Sequence, residues 1–282
     1  LKRSKRIFET CGVANLAALS TIVALFIAIN MASCKQTPKY KYDGPDTVAY
    51  TYVDFKVRDK ACGDNPDSTC TIVKINYPDF KGHAALKDSI TREFIKLLGP
   101  DKAKSDTGKT QLAADLISDY TAFKKANPKT ALYFVLDGKA KVVRQDRLMF
   151  NLEVSGFVYN GGAHGVDYTG YINWNLKKDK PVTLDYILDS GYRKPLTLIA
   201  EQLFRKNEKL SDTSSLNNGR TYFFKDGKFS LPDTYLLTDY GIKFLYNVYT
   251  IKPYAAGKTF LLVPYDHIRP LIKPHFGFTK NG

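Results

Sequence analysis

Histidine, cysteine and tryptophan are scarce in this 282-residue chain, with four His, four Cys and one Trp. His83, His164, His267 and His275 form no HExxH pair that would set two zinc ligands on one helical face, and no CxxC is present. GxSxG, a phosphate loop and a GxGxxG turn are missing too, so a nucleophile elbow or nucleotide cradle has no local support. No catalytic residue, metal ligand or cofactor is therefore assigned. Acidic residues are in deficit, 28 against 42 Lys plus Arg, and the net charge of +14 favours acidic partners at long range. With 44% hydrophobic and 25% charged residues the chain lies in the globular range, which excludes disorder, collagen and coiled-coil arrays. No internal repeat or low-complexity segment occurs. The length suits one domain or two modest ones.

What is present begins with an address. Lys2, Arg3, Lys5 and Arg6 precede an almost uncharged apolar run from Cys11 to Ser33, the pattern of a bacterial export signal over residues 1–33. The run ends in Met31-Ala32-Ser33-Cys34, which resembles a lipobox and makes Cys34 the candidate for cleavage and lipidation. The alternative is an uncleaved anchor, because the run approaches the roughly 20 residues that span a bilayer. Removing residues 1–33 takes away those four basic residues and Glu9, and lowers the net charge from +14 to +11. Residues 34–47, polar and carrying two prolines, read as a tether that lets the globular part stand off the membrane. The expected location is the bacterial cell envelope, facing the periplasm.

Cys62 and Cys70 remain, separated by the turn formers GDNPDST. In an oxidising compartment that spacing favours a disulfide at a hairpin tip, with free thiols or a metal site as the alternatives.

Residues 48–58 and 70–77 alternate, with Val53, Phe55 and Val57 on one face of the first and Val73, Ile75 and Tyr77 on one face of the second, predicting a hairpin. A second hairpin with one buried face is expected from Leu148, Phe150, Leu152, Val154 and Val158, then Val166, Tyr168, Ile172, Trp174 and Leu176. On that reading Asn151, Glu153, Ser155, Asp167, Thr169, Asn173 and Asn175 lie on the polar face. Further strands are expected at 131–144, 242–249 and 258–263. Apolar spacing near 3.6 predicts helices over 84–98, 110–126 and 195–207, with Pro195 suited to a first turn. The fold class is α+β, antiparallel hairpins with helices packed against the sheet. Residues 48–180 and 181–282 read as two α+β subdomains packed as one unit.

The connection Asn160-Gly161-Gly162-Ala163-His164-Gly165 is the most chemically suggestive stretch. Read as a site, its glycines admit a ligand to backbone amides while His164 offers a switchable donor or acceptor. Read as structure, glycines are what a tight connection with positive φ demands. Tyr50, Tyr52, Tyr159 and Tyr171 fall opposite the predicted core face, where they stack on sugars, anchor protein partners or pair across strands. The candidate binding residues are therefore Tyr159, Gly161, Gly162, His164 and Tyr171. Lys124-Lys125 and Lys177-Lys178 flank turns as solvated pairs, and no nucleic acid partner is expected.

Several segments carry a family resemblance: YNGGAHG at 159–165, YINWNL at 171–176 and VTLDYIL at 182–188, then FLYNVY at 244–249 and IKPYAAG at 251–257 leading into Val263-Pro264-Tyr265. In this order they resemble the extracellular domain family of RsiV-type anti-sigma factors, also found ahead of the catalytic domain in PdaC-type peptidoglycan deacetylases. The resemblance spans most of residues 48–275 and implies a sheet with helices packed against it, in a paired domain of unknown function. It further implies a membrane-held sensor whose outer part binds lysozyme. With about ten residues before the apolar run, a cytoplasmic sigma-binding part is not expected, and the deacetylase TFDDG-like strand and HxxxH pair are missing. A lysozyme-like partner, itself strongly basic, is disfavoured by the +11 charge unless local acidic patches outweigh it. The expected function is a lipid-anchored binding or sensing module for a cell-wall glycan or envelope protein. The rival is an envelope glycan hydrolase using dispersed carboxylates such as Glu153 and Asp167.

Overall fold

The computed structural model describes residues 48–99, 108–146, 149–274 and 276. Cys34, the apolar run and the tether fall outside them, as do Leu148 and His275. Strands β1 (Tyr50–Arg58) and β2 (Ile72–Phe80) pair antiparallel, placing Val53, Phe55 and Val57 opposite Tyr77, Ile75 and Val73. The loop between them is closed by a Cys62–Cys70 disulfide with Cα atoms 5.5 Å apart, inside the range that a bridge requires.

Helices α1 (Ala84–Leu98) and α2 (Lys109–Ala126) come next and bury the apolar stripes their spacing predicts, Leu86, Ile90, Phe94 and Leu98 on the first and Leu112, Leu116 and Tyr120 on the second. Strand β3 (Val135–Gln145) then returns parallel to β2. Hairpin reasoning did not anticipate this pair, because a parallel neighbour needs a long crossover and the two helices together form it. Strands β4 (Phe150–Tyr159), β5 (Val166–Asn175) and β6 (Lys180–Pro181) continue the sheet in chain order. Helix α1 lies close on this sheet because glycines sit beneath it. A Cβ at Gly156 would come within 2.5 Å of Leu98 Cδ1, and one at Gly170 within 2.2 Å of Glu93 Oε1.

The C-terminal half has its own core. Helices α3 (Leu184–Ile187) and α4 (Arg193–Asn207), strands β7 (Tyr235–Leu237), β8 (Gly241–Tyr246) and β9 (Thr259–Pro264), and helix α5 (Tyr265–Ile268) surround it. Pro195 falls in the first turn of α4, and Leu196, Ala200 and Phe204 supply its buried side. The Phe204 ring is the hub, with Tyr222, Phe224 and Phe229 centroids 5.9, 5.4 and 5.4 Å away. One apolar cluster runs from Val73 to Trp174 and the other from Val182 onward, with Met149 joining the second.

The two halves meet at β5, where the expected polar face departs from solvent. Asn151, Thr169 and Asn173 are 0%, 7% and 5% exposed. The Asn173 amide and the Thr169 backbone are spent on the interface, while Asn151 Oδ1 is buried with no hydrogen-bond partner among the described residues. Asn173 Nδ2 donates to Tyr235 O at 2.9 Å, and its Oδ1 accepts from Leu237 N at 2.8 Å and Asn151 Nδ2 at 2.6 Å. Asn247 reciprocates, accepting from Thr169 N and donating to Thr169 O, both at 2.9 Å. Asn173 and Asn247 thus pair with backbone as a neighbouring peptide would, the first along β7 and the second at Thr169 of β5.

Candidate functional site

The Gly161–Gly165 connection turns β4 into β5, and its glycines are required for unequal reasons. Gly161 takes φ 79°, the left-handed region, and a Cβ there would stand 3.0 Å from Phe134 Cε1. Gly165 has no space, because a Cβ would lie 2.1 Å from Phe157 Cζ. Gly162 needs neither: its φ lies outside the left-handed range, and its Cβ would meet only His164 O at 3.9 Å. The turn's demand for positive φ therefore falls on Gly161.

His164 is exposed and fully engaged by neighbours. Its Nδ1 lies 2.9 Å from Gly165 O, so that nitrogen carries the proton, since a carbonyl only accepts. In the neutral ring Nε2 is then the acceptor, and Tyr249 Oη donates to it at 3.4 Å. Tyr254 stacks on the imidazole with centroids 4.0 Å apart and planes at 24°, and its hydroxyl donates to Gly165 O at 3.1 Å. Tyr249 lies against Tyr254 at 5.5 Å. The two motif groups that carried the family resemblance, far apart in sequence, converge here.

Tyr249 has the most unusual backbone of the cluster. It adopts φ 64° while its side chain is 53% exposed. A bulky residue in the left-handed region costs on the order of 1–2 kcal/mol, and the exposed ring recovers little of that by burial. Strain of this kind is enriched at functional sites. Beside this cluster Lys258 Nζ donates to Thr169 Oγ1 at 2.7 Å. Burial pulls its protonation range down, while the Asp167 and Glu153 carboxylates push it back up.

The other predicted site residues lie apart from this cluster. Tyr159 ends β4 at the base of the connection. Tyr171 sits farther along β5, directly opposite Glu153 in register, and burial together with that carboxylate pushes its phenol up to about 12. Glu153 and Asp167 are offset by four residues across adjacent strands, a backbone separation of roughly 14 Å from strand geometry. That exceeds the roughly 5–9.5 Å between glycosidase carboxyl groups, and both acids lie in the field of Lys258. Under the connection a groove of about 480 Å³ is lined by leucines of α1 and α2, Leu98 and Leu112 among them, together with Lys96, Asp119, Asn160 and His164. Among the described residues no group of three His, Cys, Asp or Glu could hold a metal ion, and no helix is long and apolar enough to cross a membrane.

Residue-level sequence reasoning did not single out Tyr249, Tyr254, Asn247 or Lys258. Their only signal was the second motif group, and nothing local says that it folds back onto the glycine connection.

Residues 185–266 match the model of a family described as a protein of unknown function (DUF3298). No curated protein matches the chain. A solved DUF3298 family member from Bacteroides fragilis is 23% identical, with a TM-score of 0.61 over 84% of this chain and 100% of that one. A DUF3298 family protein from Pseudomonas aeruginosa is 18% identical, with a TM-score of 0.61 over 83% of this chain and 97% of that one. At these identities the likeness is one of fold.

Proposed function

We propose that this protein is a lipid-anchored binding or sensing module of the bacterial cell envelope, held by Cys34 and engaging a cell-wall glycan or envelope protein at the Tyr249–His164–Tyr254 surface. The observation that carries the reading is Tyr249, an exposed aromatic ring held in a left-handed backbone conformation and hydrogen-bonded to His164. Strain retained on an exposed side chain fits recognition better than packing. The similarity to RsiV-type outer domains belongs with this proposal and supports a membrane-held sensor. A basic lysozyme-like partner is disfavoured by charge. The hydrolase alternative is weakened by the wide spacing of Glu153 and Asp167 and by their position beside a lysine.

Tyr249→Asn tests the proposal, because asparagine tolerates the left-handed region and removes the ring. The wild-type chain should co-sediment with purified sacculi or be retained on immobilised lysozyme. The variant should lose that retention while its melting temperature holds or rises. Equal retention of both proteins, or no retention of the wild type on either probe, would refute the reading.

A further inference from the structure

We propose that the outer edge of β1 joins a second copy of this chain, antiparallel and around a two-fold axis at Phe55, so that the six-stranded sheet continues from one molecule into the other. β1 is an end strand of that sheet, bonded to β2, and among the described residues no strand lies along its other side. None of the residues of the Tyr249–His164 surface takes part, and the proposal stands whether or not that surface binds a ligand.

Register fixes which backbone groups are open. Asp59 N donates to Thr71 O at 3.0 Å, one step beyond the Arg58–Ile72 pair, so in an antiparallel ladder Val57, Phe55, Val53 and Thr51 spend their backbone groups on β2. Tyr52, Asp54, Lys56 and Arg58 therefore turn their N–H and C=O groups outward, a row of donors and acceptors that templates another strand. The side chains agree. Phe55 and Val57 pack against the core yet, like Val53, are only partly buried, and Tyr52 on the other face is 45% exposed.

Charge selects the partner and its register. Asp54 accepts from the Asn76 amide at 2.8 Å and forms no ion pair among the described residues. Asp67, by contrast, is shared by Lys56 at 2.7 Å, Lys74 at 3.0 Å and Arg58 at 3.4 Å, so the following stretch of the edge keeps an excess of positive charge. One strand thus carries an unmatched acid and, beside it, unmatched bases, the self-complementary order that a two-fold contact requires. With the axis at Phe55, Asp54 of each copy faces Lys56 of the other, Tyr52 faces Arg58, and Val53 faces Val57. Moving the axis one residue, to Asp54 or to Lys56, sets like charges opposite each other. The open backbone row would accept any extended peptide, and the charge order singles out a copy of β1.

The test uses the full-length chain in detergent. In sedimentation equilibrium the wild type should form a reversible dimer of modest affinity, since one strand pair is a small interface. Lys56→Asp should weaken association by about tenfold or more, because both matched pairs become like-charged, and adding Asp54→Lys should restore it. A role confined to the Lys56–Asp67 bridge gives no such rescue. Facing residues at the axis stand about 4.5 Å apart, within disulfide range, so Phe55→Cys should crosslink to its copy under mild oxidation, above the wild-type background. Thr51→Cys, whose copies would stand roughly 27 Å apart by strand rise, should not. The charge variants lie on the exposed face and decide the matter if Phe55→Cys is poorly folded. Lys56→Asp association as tight as wild type, no recovery in the double variant, or crosslinking no faster at 55 than at 51 would overturn the assignment. So would a monomeric wild type, which would leave this edge to an extended peptide of another protein.

Discussion

Replacing the three glycines of the β4–β5 connection one at a time by alanine should produce three different outcomes. At position 161 alanine must hold φ 79°, at a cost on the order of 1–2 kcal/mol, with its Cβ 3.0 Å from Phe134 Cε1 and 3.2 Å from Phe123 Cζ. Those two rings are packed on each other at 5.1 Å, so they yield only by disturbing the core, and a total loss of about 2–3 kcal/mol follows. At position 165 the added methyl would sit 2.1 Å from Phe157 Cζ, so the ring must leave its place, an overpacking cost of about 1–3 kcal/mol. At position 162 the methyl meets open space and ordinary backbone, and restricting the unfolded chain should stabilise by about 0.4–1 kcal/mol. For a domain of this size each kcal/mol moves the melting temperature by about 2–4 °C. Thermal denaturation should therefore show clear losses for Gly161→Ala and Gly165→Ala and a small gain for Gly162→Ala. Gly161→Asn, which tolerates the left-handed region, should recover part of the first loss. A Gly162→Ala protein as destabilised as Gly161→Ala would refute this account of the connection.

Cys34→Ala should abolish lipid labelling and leave the precursor uncleaved by the lipoprotein peptidase, and unchanged labelling would remove the anchor from the proposed function. Opening the Cys62–Cys70 bridge by paired alanine substitution should cost about 2–3 kcal/mol in urea unfolding, the loop-entropy value for so short a closure, and a negligible change would show that the bridge adds no net stability. Glu93→Gln should be more stable than wild type at pH 7 and lose that advantage by pH 4. Burial lifts the folded-state pKa of this acid above 4.5, so the stability it contributes is complete below the unfolded value and is lost as pH rises through the folded one. Parallel stability profiles for the two proteins across that window would contradict the assignment.

Local pattern determined much of this molecule. The 3.6-residue stripes of α1 and α2, the alternation in β1, β2, β4 and β5, and the turn-rich spacing of Cys62 and Cys70 are short-range features. Each element's buried side could be read from its own residues. The α+β class followed from their mixture. Tertiary structure decided what lay beyond the reach of periodicity. The two helices bridge β2 and β3 into a parallel pair because a crossover of that length carries the chain back to the end of the sheet where β2 began, so that β3 runs in the same direction. The polar face of β5 is buried because Asn173 and Asn247 satisfy backbone across the two halves, and alternation cannot distinguish a solvated asparagine from one that replaces a strand. The same packing brings Tyr249 and Tyr254 onto His164, residues about 85 to 90 positions apart, and lays Glu93 of α1 over Gly170 of β5. Which side chains share a surface depends on the long-range contacts that close the chain, and a sequence states these only through the completed fold.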